Sequence, residues 1–218
     1  MGLRREPVKL HFGKEIIVGY DDRLKILQDK IREQELAGAV LFYSRDVLYY
    51  TGTAQPSYLV VLPQEFLLFV RNGFERAIDD AFIAKDRVRK GRPIENIHRE
   101  VFSKLRSGNR IGTELDLLPV KESYRFKGAF PGYEFFDISP AILEQRQIKD
   151  ASEIAKLKKA CEAIDAGHKA VLSNLREGIT ELVLAAAVEN AHRLAGHEGI
   201  FFMRQPDFFM SRGPVSSG

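Results

Sequence analysis

Arg146-Gln-Ile-Lys149-Asp-Ala-Ser-Glu153-Ile154 and, about one helix later, Gly178-Ile-Thr180-Glu181-Leu182 are the two stretches on which the reading of this chain turns. Asp150 has the chemistry of a helix N-cap, and Glu153 stands three residues on, the spacing of a capping box. Ile154, Leu157, Cys161, Ile164, Val171 and Leu175 then recur on one helical face, which predicts a long amphipathic helix with that face inward. Gly178 supplies a stop, Thr180 a cap for a second helix, and Glu181 a negative charge at its positive end.

Upstream of Arg146, short apolar runs alternate with helical periods. Residues 22–36 carry Leu24, Leu27 and Ile31 at helical spacing, and Gly38 ends the pattern. Ala39-Val-Leu-Phe-Tyr43 reads as a buried strand, Ser44-Arg-Asp46 as a turn, and Val47-Leu-Tyr-Tyr50 as a second strand closed by Thr51-Gly52. Tyr49 and Tyr50 are therefore expected in a sheet. Tyr58-Leu-Val-Val-Leu62 and Phe66-Leu-Leu-Phe-Val70 are strands joined tightly by Pro63-Gln-Glu65, as in a hairpin. Residues 74–88 are predicted as a helix with Phe74, Ala77, Ile78, Ala81 and Phe82 inward, broken by Gly91-Arg-Pro93. Ile94, Ile97, Val101 and Leu105 mark another helix. Arg110-Ile-Gly-Thr113 is strand-like, Pro119 opens a helix towards Phe126, and Tyr133-Glu-Phe-Phe-Asp-Ile138 is a further strand. The order predicts an α/β fold with a mixed sheet, since tight joints give antiparallel neighbours and helical crossovers give parallel ones.

The run from Arg146 to Glu181 resembles the start of the catalytic domain in the Xaa-Pro aminopeptidase, prolidase and creatinase family. The matching positions are Arg146, Ile148, Lys149, Glu153, Ile154, Ala160, Gly178, Thr180 and Glu181. Asp46-Val-Leu-Tyr49-Tyr-Thr51-Gly52 is similar to that family's Asn-x-x-Tyr-x-Thr-Gly step, with Asp46 in the Asn place. The resemblance implies an N-terminal domain of creatinase/prolidase type over residues 1–147, with a ribonuclease-H-like mixed sheet. It implies that residues 148–218 are the truncated start of a pita-bread α+β catalytic domain. It further implies a dinuclear metallopeptidase acting on Xaa-Pro bonds, with two divalent cations (manganese, cobalt or zinc) held by two Asp, a His and two Glu. Those ligands are expected after the last residue, Ser216-Ser217-Gly218 looking like the beginning of a Ser-Gly-x-Asn step. No catalytic, cofactor-binding or metal-ligating residue is assigned within the chain, which is expected to be inactive alone. Two alternatives stay open: a non-catalytic binding or dimerisation module of the same fold, and a creatinase-like hydrolase.

Composition narrows the other possibilities. Thirty-three basic and 30 acidic residues give a net charge of +3, without the basic excess of a nucleic-acid binder. Lys85, Arg87, Arg89, Lys90 and Arg92 read as a solvated helix end and loop. The single cysteine, Cys161, excludes an intrachain disulfide and is expected to be a small buried hydrophobe. No stretch approaches the roughly 18 apolar residues of a membrane span. The charged start lacks an apolar signal region, so a cytoplasmic location is expected. His192 and His197 are five apart, where a helical metal pair is four apart. His168 is expected to pack beside the apolar stripe, while His98 and His11 have no acidic or thiol cluster beside them. Asp79 and Asp80, adjacent on a helix, diverge by about 100°. Phe201-Phe-Met203 and Phe208-Phe-Met210 read as a hairpin with Pro206 in its turn. Their apolar surface leads us to expect a homodimer formed through residues 154–210. A proline-containing peptide is the substrate expected of the full-length parent.

Overall fold

Leu59 and Val61 point to one side of their strand, Tyr58 and Val60 to the other, and all four are buried. A strand covered on both faces needs a layer on each side. The computed structural model describes residues 19–91, 93–105, 109–199, 201, 202, 204, 209 and 210. It divides into two compact units, with the break between Ile148 and Lys149.

The first unit is built on a six-stranded sheet, in the order β4-β3-β2-β1-β5-β6. The strands are β1 (Gly38–Leu41), β2 (Ser57–Val61), β3 (Phe66–Val70), β4 (Val88–Lys90), β5 (Arg110–Thr113) and β6 (Glu134–Asp137). β1–β2 and β2–β3 are antiparallel pairs, whereas β3–β4, β1–β5 and β5–β6 are parallel pairs. This is the mixed α/β architecture expected. One face is covered by α1 (Tyr20–Glu33), α2 (Ser44–Thr51), α3 (Phe74–Asp80) and α6 (Ser139–Gln147). There Leu24, Leu27, Ile31, Val47, Tyr50 and Ile142 bury against Leu59 and Val61. The other face is covered by α4 (Ile94–Glu100) and α5 (Val120–Ala129), whose Ile94, Ile97 and Phe126 pack on Val40, Val60 and Phe69.

Several elements differ from expectation. Residues 47–50 form no strand. They belong to α2, which buries Asp46, Val47, Tyr49, Tyr50 and Thr51 and leaves Leu48 exposed. The burial follows a helical period, and tertiary packing overrides the strand preference of a Val-Leu-Tyr-Tyr run. Tyr49 and Tyr50 are accordingly helix residues, and Asp46 lies in the first turn. The expected helix over residues 74–88 stops at Asp80, because Ala81 turns extended (ψ 137°). A 3-10 turn at Lys85–Arg87 then leads into β4, the outer strand, where Arg89 and Lys90 are exposed; Arg92 lies outside the described residues. Phe82 is exposed rather than inward, its ring stacked on Tyr20 at 4.5 Å. The helix expected to reach Leu105 ends at Glu100 and is followed by a 3-10 turn. The first helix ends before Gly38: Glu35 takes the left-handed turn (φ 54°), and Gly38 starts β1 instead. A Cβ on Gly38 would lie 2.9 Å from the Val61 carbonyl oxygen, so close strand packing is what needs glycine there. α6 is unforeseen, and Pro140 sits in its first turn.

The second unit holds α7 (Ala151–Asn174), α8 (Glu181–Leu194) and a short antiparallel pair, β7 (Phe201–Phe202) with β8 (Phe209–Met210). Met203, Pro206, Phe208 and Ser216-Ser217-Gly218 lie outside the described residues. The capping box forms as read: Asp150 Oδ1 accepts the Glu153 N–H at 2.9 Å, and Glu153 Oε2 accepts the Asp150 N–H at 3.1 Å. Thr180 Oγ1 caps α8 through the Val183 N–H, and Gly178 turns the chain at φ 83°. The inward face differs. α7 buries Ala163 and Gly167, while Leu157, Cys161, Ile164 and Leu175 are exposed. Small residues let α8 approach closely: a Cβ on Gly167 would lie 1.9 Å from His192 Nε2. His168, expected to pack, is exposed beside that contact.

Gly52 ends α2 at φ 87°, and a Cβ there would lie 2.2 Å from the Phe82 ring. Gly52→Ala is expected to destabilise the first unit by about 1–2 kcal/mol, the cost of a left-handed non-glycine residue. All seven tyrosines lie at or before Tyr133, so urea unfolding followed by tyrosine near-UV dichroism reads this unit alone.

Candidate functional site

β1 and β5 are parallel neighbours, so their C-terminal ends lie side by side. Thr113 closes β5 and donates its hydroxyl to the Val40 carbonyl at 2.8 Å. The next residue, Glu114, is fully buried and reaches across to the residues after β1. Its Oε2 accepts the Phe42 N–H at 2.8 Å, and both oxygens accept the Tyr43 N–H at 3.3 Å. Tyr43 is the N-cap of α2, so this carboxyl fixes where that helix begins.

Asp46, in the first turn of α2, is also fully buried and lies within hydrogen-bonding reach of Glu114. Arg146 of α6 donates from Nη1 to Asp46 Oδ1. The guanidinium also lies 5.8 Å from the centre of the Tyr49 ring. A second guanidinium, Arg23 of α1, lies 4.2 Å from that ring and donates to the Tyr49 carbonyl at 2.7 Å. Gln145 completes the joint by accepting the Tyr50 hydroxyl at 2.9 Å and donating to the Arg23 carbonyl at 2.9 Å. Thr51 donates back to the Val47 carbonyl at 2.7 Å.

Each marked position of Asp46-x-x-Tyr49-x-Thr51-Gly52 thus has a physical task. Asp46 pairs with Arg146, Tyr49 stacks on the guanidinium groups, Thr51 closes the helix and Gly52 turns left-handed. The two motifs read separately in the sequence meet here, 100 residues apart. Burial pushes the Glu114 carboxyl well above the ordinary glutamate range, and the charge of Asp46 pushes it further; the Phe42 and Tyr43 N–H groups pull the other way. Burial likewise raises the Tyr50 hydroxyl, with the Tyr49 hydroxyl and Asp46 adding to the effect.

This cluster joins helices to strand ends, and both of its carboxyl groups are fully buried. It does not fit a metal pair, because its carboxyl oxygens already face backbone N–H groups and a guanidinium. Among the described residues, no group of three or more His, Cys, Asp or Glu could hold a metal ion. His192 and His197 stand with ring centres 6.0 Å apart and without a carboxylate set. His98 packs edge-on against Phe130 and Tyr133; His11 lies outside the described residues. Among the described residues, no helix is long and apolar enough to cross a membrane. Sequence reading missed Glu114, Arg23 and Gln145. For Glu114 the sequence offers only an acidic residue directly after the strand-like run Arg110–Thr113, a place that a surface acid fills as readily.

The family model of the creatinase/prolidase N-terminal domain matches residues 23–148. The chain belongs to this family. The creatinase of Bacillus sp. (strain B-0618) is 27% identical over 197 residues, 83% of this chain and 45% of its own length. The Xaa-Pro dipeptidase of Pyrococcus furiosus is 26% identical over 180 residues, 81% of this chain and 49% of its own. The solved prolidase from that organism superposes with a TM-score of 0.70 at 26% identity, covering 81% of this chain and 54% of its own. A solved proline dipeptidase chain from Streptococcus pneumoniae, at 26% identity and a TM-score of 0.50, is covered over 98% of its length by 58% of this one. The chain spans at most about half the length of these curated relatives.

Arg146→Met leaves Asp46 buried without its cation. We expect a loss of about 2–4 kcal/mol, below the upper figure for a fully buried pair because the guanidinium is 33% exposed. Adding Asp46→Asn is expected to recover part of that loss, as read by tyrosine-monitored urea unfolding.

Proposed function

We propose that this chain is the N-terminal part of a metal-dependent peptidase acting on Xaa-Pro bonds. The observation that carries the reading is its alignment, over more than four-fifths of its length, with just under half of an Xaa-Pro dipeptidase and of a creatinase, together with the match of residues 23–148 to the creatinase/prolidase N-terminal domain. On this reading residues 1–147 are a scaffold domain, and residues 148–218 begin a pita-bread catalytic domain. The expected cations (manganese, cobalt or zinc) find no fitting set among the described residues, so no chemical step is assigned to this chain. The purified 218-residue chain is expected to release no proline from Xaa-Pro dipeptides, with or without added manganese or cobalt. Steady turnover would overturn that expectation. The reading frame after Gly218 is expected to encode two Asp, a His and two Glu at positions matching the relatives; a continuation without them would remove the peptidase reading.

A second reading, a binding or dimerisation module, is favoured by one observation. Leu157, Ile164 and Leu172 of α7, Leu175 directly after it, and Leu182 and Leu194 of α8 are exposed, which makes a surface suited to self-association. Light scattering is expected to give the mass of a homodimer at micromolar concentration. A stable monomer would count against this role.

A further inference from the structure

Asp46 and Glu114 are both fully buried and converge on Tyr43, whose N–H meets the Glu114 carboxyl at 3.3 Å and whose carbonyl accepts the Asp46 N–H at 3.0 Å; a side-chain hydrogen bond joins the two acids. An ionised carboxylate only accepts hydrogen bonds, so two ionised groups cannot bond to one another. A proton between them satisfies both. Arg146 Nη1 donates to Asp46 Oδ1, while burial favours the protonated form of Glu114. We propose that Asp46 and Glu114 share a single proton, and that its loss loosens the hold of α2 and α6 on the end of β5.

The charged and titratable groups around the pair come from the neighbouring helices and strand ends. From α6 comes Arg146; from α1, Arg23, stacked on Tyr49; from α2, the hydroxyls of Tyr49 and Tyr50. Beyond β5 and β6, Asp116 accepts the Ser139 hydroxyl at 2.6 Å and Asp137 accepts the Ser139 and Leu115 N–H groups, so both are engaged away from the pair. Without the shared proton, two buried anions would face each other at the joint that positions α2. The raised Glu114 carboxyl contributes stability that is present in full below the ordinary glutamate value of 4.5 and is lost as pH rises through its raised value. The first unit therefore weakens towards alkaline pH.

The test is tyrosine-monitored urea unfolding of the full chain and of Glu114→Gln, across about pH 5 to pH 9. Glutamine keeps the acceptor for the Phe42 and Tyr43 N–H groups and donates permanently towards Asp46. The wild-type unfolding constant is expected to rise by up to about tenfold per pH unit relative to the variant, until Glu114 has titrated. Parallel profiles would overturn the proposal. Carbon-13 carboxyl NMR on the wild-type chain decides the matter even if the variant fails to fold. Glu114 is expected to titrate above the other glutamates, and titration alongside them would refute the shared proton.

Discussion

The ion pair between Asp46 and Arg146 holds together segments 100 residues apart in the chain, and the ends of the first unit are organised around it. Such a pair is a weak source of net stability, because desolvating both ions offsets much of their attraction. Its value here is geometric. Asp46 sits at the start of α2, and Arg146 near the end of α6. Joining them fixes both helices over one face of the sheet, while Glu114 ties the start of α2 to the end of β5. Asp46 stands where the resembled motif has Asn, so a carboxyl group rather than an amide faces Glu114. On the shared-proton proposal, that second carboxyl is what gives the joint its need for a proton.

The two faces of the sheet are held by different means. On the face away from the clasp, Phe102, Phe126, Phe130, Tyr133 and Phe135 meet largely edge-on, with ring centres 5.3 to 6.5 Å apart. These ring contacts are largely apolar. The clasp face mixes the aliphatic side chains of α1 and α6 with buried Arg23, Asp46 and Glu114. The buried charged side chains are thus gathered on one side of the domain and these aromatic rings on the other.

Features set by neighbours in sequence were legible. The Asp150–Glu153 capping box, the inward Leu24, Leu27 and Ile31, and the β2–β3 hairpin each depend on a few adjacent residues. Features set by distant partners were not. Val47-Leu-Tyr-Tyr50 has strand propensity, yet its place beneath Arg23 and Gln145 makes a helix the better solution. β4 is only three residues long and mostly charged, so its membership of the sheet depends on β3 rather than on its own pattern. On α7, the large apolar side chains drew attention from Ala163 and Gly167, the small residues that actually meet α8. Of the candidate site, Asp46 and Arg146 stood in recognisable motifs; their pairing did not. Glu114 carried no signal that spacing alone could separate from a surface acid.

The outer strand β4 presents Arg89 and Lys90 opposite Phe69 and Val70. A second molecule docking by the same strand would bring like charges together along an otherwise open row of peptide groups. Lateral growth of the sheet into fibres is therefore discouraged at that border by repulsion rather than by shape. A safeguard of this kind is strongest in dilute buffer and fades in brine, where mobile ions screen the charges within a few ångströms.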